Sequence, residues 1–331
     1  MTQQENKSRG KWLSVVIGIA ISAVCVGYIV HRIDPAELRR AVLGFNWKFL
    51  VVGLVALSVD YWLRVVRWAL MLRSAGGAVD SARCVAPFLA SIALNNVLPL
   101  RLGDAVRAFV FPSSLGITRS LSFASLVMER LLDLVTIVLL MGIGLWASPD
   151  LQLHAWVRQT VLALGIVAPL CLGLILLTSG ALARRLERFP GALARNLRQL
   201  LAGFEAMSKP SLLWAAGLLS LTIWLGEATL FYCLLLGFGL KATFLAGLII
   251  MALATLATLV PSSPGYIGPF HLAAFAGMTL VGGTTEQGAS FALIAHLSLW
   301  LPTTLAGALC LAISPGLLRG AHTARASQSP N

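Results

Sequence analysis

Asn95-Asn96-Val97-Leu98-Pro99-Leu100-Arg101-Leu102-Gly103-Asp104 interrupts an apolar run that extends from about 84 to 117. Pro261-Ser262-Ser263-Pro264-Gly265-Tyr266-Ile267-Gly268 interrupts a second run, from about 242 to 282. A helix does not continue through either stretch, because proline lacks the N–H and its ring clashes with the preceding turn. Each run therefore reads as two short helices folded into a hairpin, with Pro99 and Gly103 at one break and Pro261 and Pro264 at the other. Around these hairpins lie six uninterrupted apolar segments: 12–30, 47–72, 121–146, 157–178, 212–237 and 288–313. About 20 apolar residues cross a bilayer. The expected fold is an all-α polytopic membrane protein with about six full spans and two re-entrant helical hairpins.

The composition agrees. Of 331 residues, 58% are hydrophobic and only 11% charged, with mean hydropathy +0.85. A soluble domain carries about 25% charged residues, so this chain has too little charge to cover a water-facing surface. Soluble enzymes, disordered chains and coiled coils are excluded on that ground. The five cysteines (Cys25, Cys84, Cys171, Cys233, Cys310) lie in or beside apolar stretches and form no C-x-x-C pair; neither a disulfide framework nor a metal site is expected. No cofactor motif is present. The net charge of +12 contains no basic block separate from the membrane segments, so a nucleic-acid partner is not expected either. The positive flank Lys7, Arg9 and Lys11 precedes a run too long for a signal peptide, with no Ala-x-Ala site after it, and reads as an uncleaved anchor.

Basic residues set the orientation. Fourteen (Lys7, Arg9, Lys11, Arg73, Arg83, Arg119, Arg184, Arg185, Arg188, Arg195, Arg198, Lys209, Arg319, Arg325) fall on one side of this topology. Six (Arg32, Arg39, Arg40, Lys48, Arg158, Lys241) fall on the other, where the cluster at 32–48 opposes the trend. The excess places both termini in the cytoplasm of a bacterial-type inner membrane, with residues 1–11 and 314–331 as tails. The first hairpin then enters from inside and the second from outside, each between two full spans. Paired Pro/Gly-interrupted segments of opposite polarity read as an inverted repeat with a substrate site at its centre; two unrelated kinks are the alternative. Between 180 and 210, Leu193, Leu197, Leu200, Leu201 and Phe204 recur at helical spacing among Arg188, Arg195 and Arg198. This stretch reads as a cytoplasmic amphipathic helix or, alternatively, as a basic linker.

Ten charges lie at membrane depth, where they are costly and face a protein interior or a wet cavity. Asp60, Asp104, Glu129, Asp133 and Glu227 stand against Arg64, Arg67, Arg101, Arg107 and Arg130. Asp60, Arg64 and Arg67 share a helix face, as do Glu129 and Asp133. At 1.5 Å per residue, Arg64 and Arg67 lie roughly 9–14 Å from the inner face, and the first hairpin tip about 20 Å. Glu227 falls in the outer half. Asp60 directly neutralises only one of its two arginines, so a positive stripe facing the hairpin tip is expected, with a lipid phosphate as its occupant. Arg101 or Arg107 is expected to pair with an acid such as Asp60, Asp104 or Glu129. The competing reading is a purely structural salt-bridge network. Asn96, Ser262, Ser263, Gly265 and Gly268 complete the candidate substrate site. Asp60, Glu129, Asp133 and Glu227 are candidate proton carriers, with Arg130 in the charge network. His271 and His296 read as packing residues. There is no HExxH, P-loop, G-x-S-x-G or Asp-rich diphosphate motif, and no catalytic residue is assigned.

Four motifs in order carry a resemblance: Arg64-Val65-Val66-Arg67-Trp68; Asn96-x-x-Pro99-x-Arg101-x-Gly103-Asp104-x-x-Arg107; Glu129-Arg130-x-x-Asp133; and Pro261-x-x-Pro264-Gly265-x-x-Gly268. Over roughly 12–313 they resemble the lysylphosphatidylglycerol synthase transmembrane-region family, also called flippase-like proteins. The resemblance implies an integral membrane protein that moves a lipid between leaflets. Members of that family often carry Glu where Asp104 stands, and Gly-Gly-x-Gly followed by an acid where this chain has Gly265-Tyr266-Ile267-Gly268-Pro269-Phe270-His271. The family's soluble aminoacyl-transfer domain has no counterpart expected here, so lysyl transfer is not carried over. The expected function is translocation of an anionic or phosphate-bearing lipid. The alternatives are a membrane-embedded enzyme on a phospholipid or polyprenyl phosphate, and a scaffold for a lipid-synthesis enzyme.

Overall fold

A computed structural model describes residues 3–31, 34–148, 154–314 and 316–317. Arg32, residues 149–153 of the loop 147–156 and most of the tail 314–331 lie outside the described residues. Among the described residues the structure is helical and contains no strand. Its helices are α1 (Gln3–Val30), α2 (Pro35–Leu43), α3 (Trp47–Ser74), α4 (Ser81–Val97), α5 (Leu102–Phe109), α6 (Pro112–Leu115), α7 (Arg119–Trp146), α8 (Ala155–Leu186), α9 (Ala192–Met207), α10 (Pro210–Gly237), α11 (Phe244–Ala257), α12 (Pro269–Leu280) and α13 (Thr285–Ile313).

Four helices, α3, α8, α10 and α13, are long and apolar enough to cross a membrane. They cover the expected segments 47–72, 157–178, 212–237 and 288–313. The segment 121–146 lies within α7, which has 28 residues but carries Glu129, Arg130 and Asp133 in its middle. The outward faces identify the solvent. On α8, Leu170, Leu174 and Leu177 are 65%, 64% and 84% exposed. These residues recur at helical spacing, and a continuous apolar stripe of this kind on a helix long enough to span marks a membrane-facing or partner-facing surface. The chain is a multi-pass membrane protein.

Both interruptions fall where the prolines put them. α4 ends at Val97, and a short turn over Pro99–Arg101 leads into α5. α11 ends at Ala257, and the turn Pro264–Tyr266 leads into α12. The same backbone recurs in both turns: proline followed by two left-handed residues. These are Leu100 (φ 59°, ψ 25°) and Arg101 (φ 53°, ψ 41°) in the first, and Gly265 (φ 73°, ψ 13°) and Tyr266 (φ 60°) in the second. Leu100, Arg101 and Tyr266 are the only non-glycine residues with positive φ among the described residues. Such conformations cost about 1–2 kcal/mol each and concentrate at functional sites.

The helix pairing has an exchange pattern. α3 packs along α10; α4 packs on α13 and α11 packs on α7; the two turns touch each other. The 180–210 stretch is divided: α8 continues to Leu186, and the amphipathic helix is α9. The C-terminal half of α9 buries Gly203, Phe204 and Met207 against α7 and α8, while Leu193 near its start is exposed.

Candidate functional site

Nine of the ten charges assemble into two groups of different stoichiometry. Arg67, Arg107 and Arg130 are balanced by Asp104, Glu129 and Asp133. Arg107 holds Glu129 with both terminal nitrogens, at 3.0 and 3.3 Å, and approaches Asp104 at 3.9 Å. Arg130 reaches Asp104 at 3.3 Å, Glu129 at 3.5 Å and Asp133 at 3.7 Å. Arg67 donates to Asp133 at 2.7 Å and to Ser220 at 2.6 Å. Trp224 Nε1 also donates to Asp133. Every carboxylate of this group therefore has two arginines within 4 Å, and Asp133 Oδ1 shares Arg67 with an indole.

The second group has one arginine and two carboxylates. Arg64 Nε donates to Asp60 at 2.9 Å and Arg64 Nη2 to Glu227 at 2.8 Å. The Trp224 ring lies 4.6 Å from the guanidinium carbon and the Tyr61 ring 5.6 Å. Thr255 donates to the other oxygen of Glu227. The positive stripe expected of Arg64 and Arg67 is thus absent. α10 brings Glu227, and α7 brings Asp133, to the same face of α3. Glu227 reaches Arg64 because α3 and α10 pack along their length and the arginine side chain bridges the remaining gap.

Arg101 belongs to neither group. Among the described residues no carboxylate lies within 4 Å of it. Its guanidinium donates to the carbonyl and hydroxyl of Thr258, at 3.1 and 3.3 Å, and lies 5.1 Å from the centre of the Tyr266 ring. Arg101 and Tyr266 occupy matching positions of the two turns, so the turns meet through their second left-handed residues. The expectation of an acidic partner holds for Arg107 and not for Arg101, because the turn aims Arg101 across the molecule toward the end of α11.

These charges border a cavity of about 390 Å³. Its polar lining includes Arg64, Arg101, Arg130, Asn95, Glu227 and Thr258. A second cavity, of about 250 Å³, lies between the turns and is lined by Arg101, Ser262, Ser263, Gly265 and Tyr266 among others. A third, of about 130 Å³, shares Tyr61, Asn96, Glu227 and Tyr266 with the first and reaches His296 and Thr303. Tyr61 and Thr303 in turn line an apolar groove of about 470 Å³, walled by Leu54, Leu57, Val65, Val85, Leu89 and Ala306. A polar chamber and an apolar groove are therefore adjacent, and they meet at Tyr61.

The candidate residues separate accordingly. Arg64, Asn96, Arg101, Arg130, Asp133 and Glu227 line the main cavity; Ser262, Ser263, Gly265, Pro99, Pro261 and Pro264 line the smaller one between the turns. Arg67 and Arg107 are 0% and 1% exposed and line no cavity described here. Asp60 and Glu129 are equally buried. Asp104 exchanges two hydrogen bonds with Asn95, which fixes α5 against α4. A Cβ at Gly103 would collide with the carbonyl of Ser91, so α5 approaches α4 only with glycine there. Gly268 packs against Ser22 of α1.

Several residues of the site were not singled out from the sequence. Ser22 accepts from the Ser263 amide at 2.9 Å and donates to the Ile267 carbonyl at 2.6 Å, bracing the second turn. Trp300 donates to the Asn96 carbonyl, and the Asn96 side chain donates to Thr303 and Thr304, tying the first turn to α13. His296 Nε2 lies 2.7 Å from the Gly265 carbonyl. The one available signal was positional: Tyr266 stands two residues after its proline, as Arg101 does. Ser22, Thr258 and Trp300 lie in uninterrupted apolar helices or at their ends and carry no local mark.

The chain has relatives among known proteins. It is 26% identical to glycosyltransferase AglD of Haloferax volcanii, over 89% of this chain and 53% of that protein; it thus spans about half the length of that relative. It is 23% identical to a UPF0104 membrane protein of Pyrococcus horikoshii, over 91% of this chain and 96% of the other. It is 22% identical to a UPF0104 membrane protein of Methanothermobacter thermautotrophicus, over 76% and 80%. The family model for the lysylphosphatidylglycerol synthase transmembrane region matches residues 15–307, and the chain belongs to that family.

Proposed function

We propose that the protein is a lipid translocase that moves a phosphate-bearing lipid between leaflets of a bacterial-type inner membrane. The observation that carries this reading is the junction at Tyr61 of a cationic chamber with an apolar groove. Arg101, which has no acid partner, and Arg130, whose side chain is 37% exposed, face that chamber. A headgroup phosphate fits the two guanidiniums, and an acyl or prenyl chain fits the groove between α3, α4 and α13. Arg67 and Arg107 are structural in this scheme, being enclosed with their acids.

In this reading α1, α3, α7, α8, α10 and α13 are six full spans, with both termini cytoplasmic. The pairs α4/α5 and α11/α12 are re-entrant hairpins that enter from opposite sides. The exchange pattern of helix pairing and the two matching turns support an inverted repeat running from α3 to α7 and from α10 to α13. Alternating access would open the chamber first around one turn and then around the other.

The similarity to a protein named a glycosyltransferase favours a second reading, in which this membrane unit serves a lipid-synthesis enzyme as a scaffold. One experiment separates the two. Arg101→Gln is expected to fold, because it removes a charge that no carboxylate balances. It should retain less than about a tenth of the parental phospholipid, since loss of a charged hydrogen bond of about 1.5–3 kcal/mol is roughly a tenfold to hundredfold effect. Lipid bound per folded protein is measured by native mass spectrometry, and leaflet exchange of fluorescent phosphatidylglycerol in vesicles. Parental retention and exchange in the variant would exclude Arg101 from the headgroup site. Absence of exchange by the parent, with co-purification of a synthase, would favour the scaffold.

A further inference from the structure

The charge count leaves one negative charge unaccounted for, and the geometry places it. Arg67, Arg107 and Arg130 balance Asp104, Glu129 and Asp133 within their own group. Arg64 alone serves two carboxylates, Asp60 and Glu227. Asp60 is 1% exposed and Glu227 7%. Asp60 Oδ2 is buried with no hydrogen-bond partner, and Gly226 of α10 closes over that side chain. Two carboxylates on one guanidinium in a low-dielectric interior leave one negative charge without a facing cation, and an uncompensated buried charge is costly.

Other charges do not supply it. On α3, Arg67 is engaged by Asp133. From α7, Asp133 and Arg130 border the same cavity but belong to the balanced group. From the turns, Arg101 and Tyr266 face the cavity with the guanidinium held by Thr258. From α13, His296 is bonded to the Gly265 carbonyl. Tyr61 adds a hydroxyl and no charge. An ammonium group would have to displace Arg64 or Thr255 from Glu227, whereas a proton needs no space.

We propose that Asp60 and Glu227, sharing Arg64, form a proton-binding site that couples lipid movement to a proton gradient. Glu227 lines two of the cavities and is the access point. A proton from cavity water forms an O–H bond on one carboxylate and returns to water when that bond breaks, so Asp60, Glu227 and Arg64 together alternate between one net negative charge and none. The coupling rests on the translocase reading; the proton site does not.

The test uses full-length protein in vesicles of phosphatidylethanolamine and phosphatidylglycerol. Infrared difference spectra between about pH 5 and about pH 8 should show one protonated-carboxyl C=O band in the parent, lost in Asp60→Asn and in Glu227→Gln. Each single variant keeps one carboxylate for Arg64 and should fold; the double variant strands Arg64 and should lose its folded yield. An imposed gradient of one pH unit should shift the steady-state leaflet ratio of fluorescent phosphatidylglycerol about tenfold for one coupled proton. This shift should be absent in both single variants. No titrating band in the parent, or the same band in both variants, would overturn the proton site. Gradient-independent exchange would overturn the coupling and leave the translocase intact. A band without exchange under any gradient would leave the proton site and remove the translocase. Should one variant fail to fold, the other and the parental spectrum decide.

Discussion

The two turns share a backbone and differ in what holds it. The first is fastened by charge: Asp104 is bound to Asn95, Arg130 and, more distantly, Arg107. The second has no charged residue and is fastened by neutral bonds from Ser22, His296 and packing against Trp300. Because neutral hydrogen bonds are weaker than charged ones, the second turn is the more easily displaced. The largest expected effect probes the charged side. Glu129→Gln leaves Arg107 buried with only the distant Asp104, and removing one partner of a buried pair costs about 3–5 kcal/mol. A large fall in Tm in detergent should result. A Tm near the parental value would show that the first turn is not held by its charges.

The second effect probes the neutral side. Gly265 occupies a left-handed position, and a Cβ there would lie 3.0 Å from Trp300 Nε1 and 3.2 Å from the Asn96 carbonyl. Gly265→Ala should cost about 1–3 kcal/mol, combining backbone strain with crowding. It should also weaken the Trp300–Asn96 bond that ties the first turn to α13. Thermal unfolding and Trp300 fluorescence read the two effects. Parental values of both would show that the turns do not bear on each other through Gly265.

A smaller effect is expected from Ser22→Ala, which removes one side-chain partner from the second turn. The loss should be about 1 kcal/mol, with faster hydrogen exchange at the Ser263 amide and unchanged exchange in α5. Equal acceleration in both regions would mean that the turns move as one body.

Much of this architecture was legible in the sequence for a physical reason. Prolines at 99 and 264 forbid helix continuation, and long apolar runs have one stable environment, so both breaks and the four apolar spans follow from local chemistry. The ten charges within apolar segments were equally visible, because a charge there is costly. Their partners were not. Asp60 and Arg64 pair within one helix and could be read from spacing; Arg64 with Glu227 and Arg67 with Asp133 depend on which helices meet. Sequence depth alone separates Glu227 from Arg64, whereas the α3–α10 contact joins them. Arg101 looked like another member of the lattice. Its isolation follows from a left-handed backbone that spacing cannot report.

The smallest effect tests the turn itself. Leu100 and Gly265 are matching positions with nearly the same backbone, yet one carries a large side chain and the other none. Leu100 borders the open cavity between the turns and is 55% exposed, so its main cost is the left-handed backbone. Leu100→Gly relieves that cost of about 1–2 kcal/mol, and the freer unfolded chain takes back roughly 0.5–1 kcal/mol. The net change in stability should be within about 1 kcal/mol, measured as Tm in detergent. If the turn serves only to reverse the chain, lipid retention should be unchanged as well, because Arg101 keeps its place against Thr258. A marked loss of retention at parental stability would show instead that Leu100 itself steadies the guanidinium, and that the first turn is rigid because of its side chain rather than its charges.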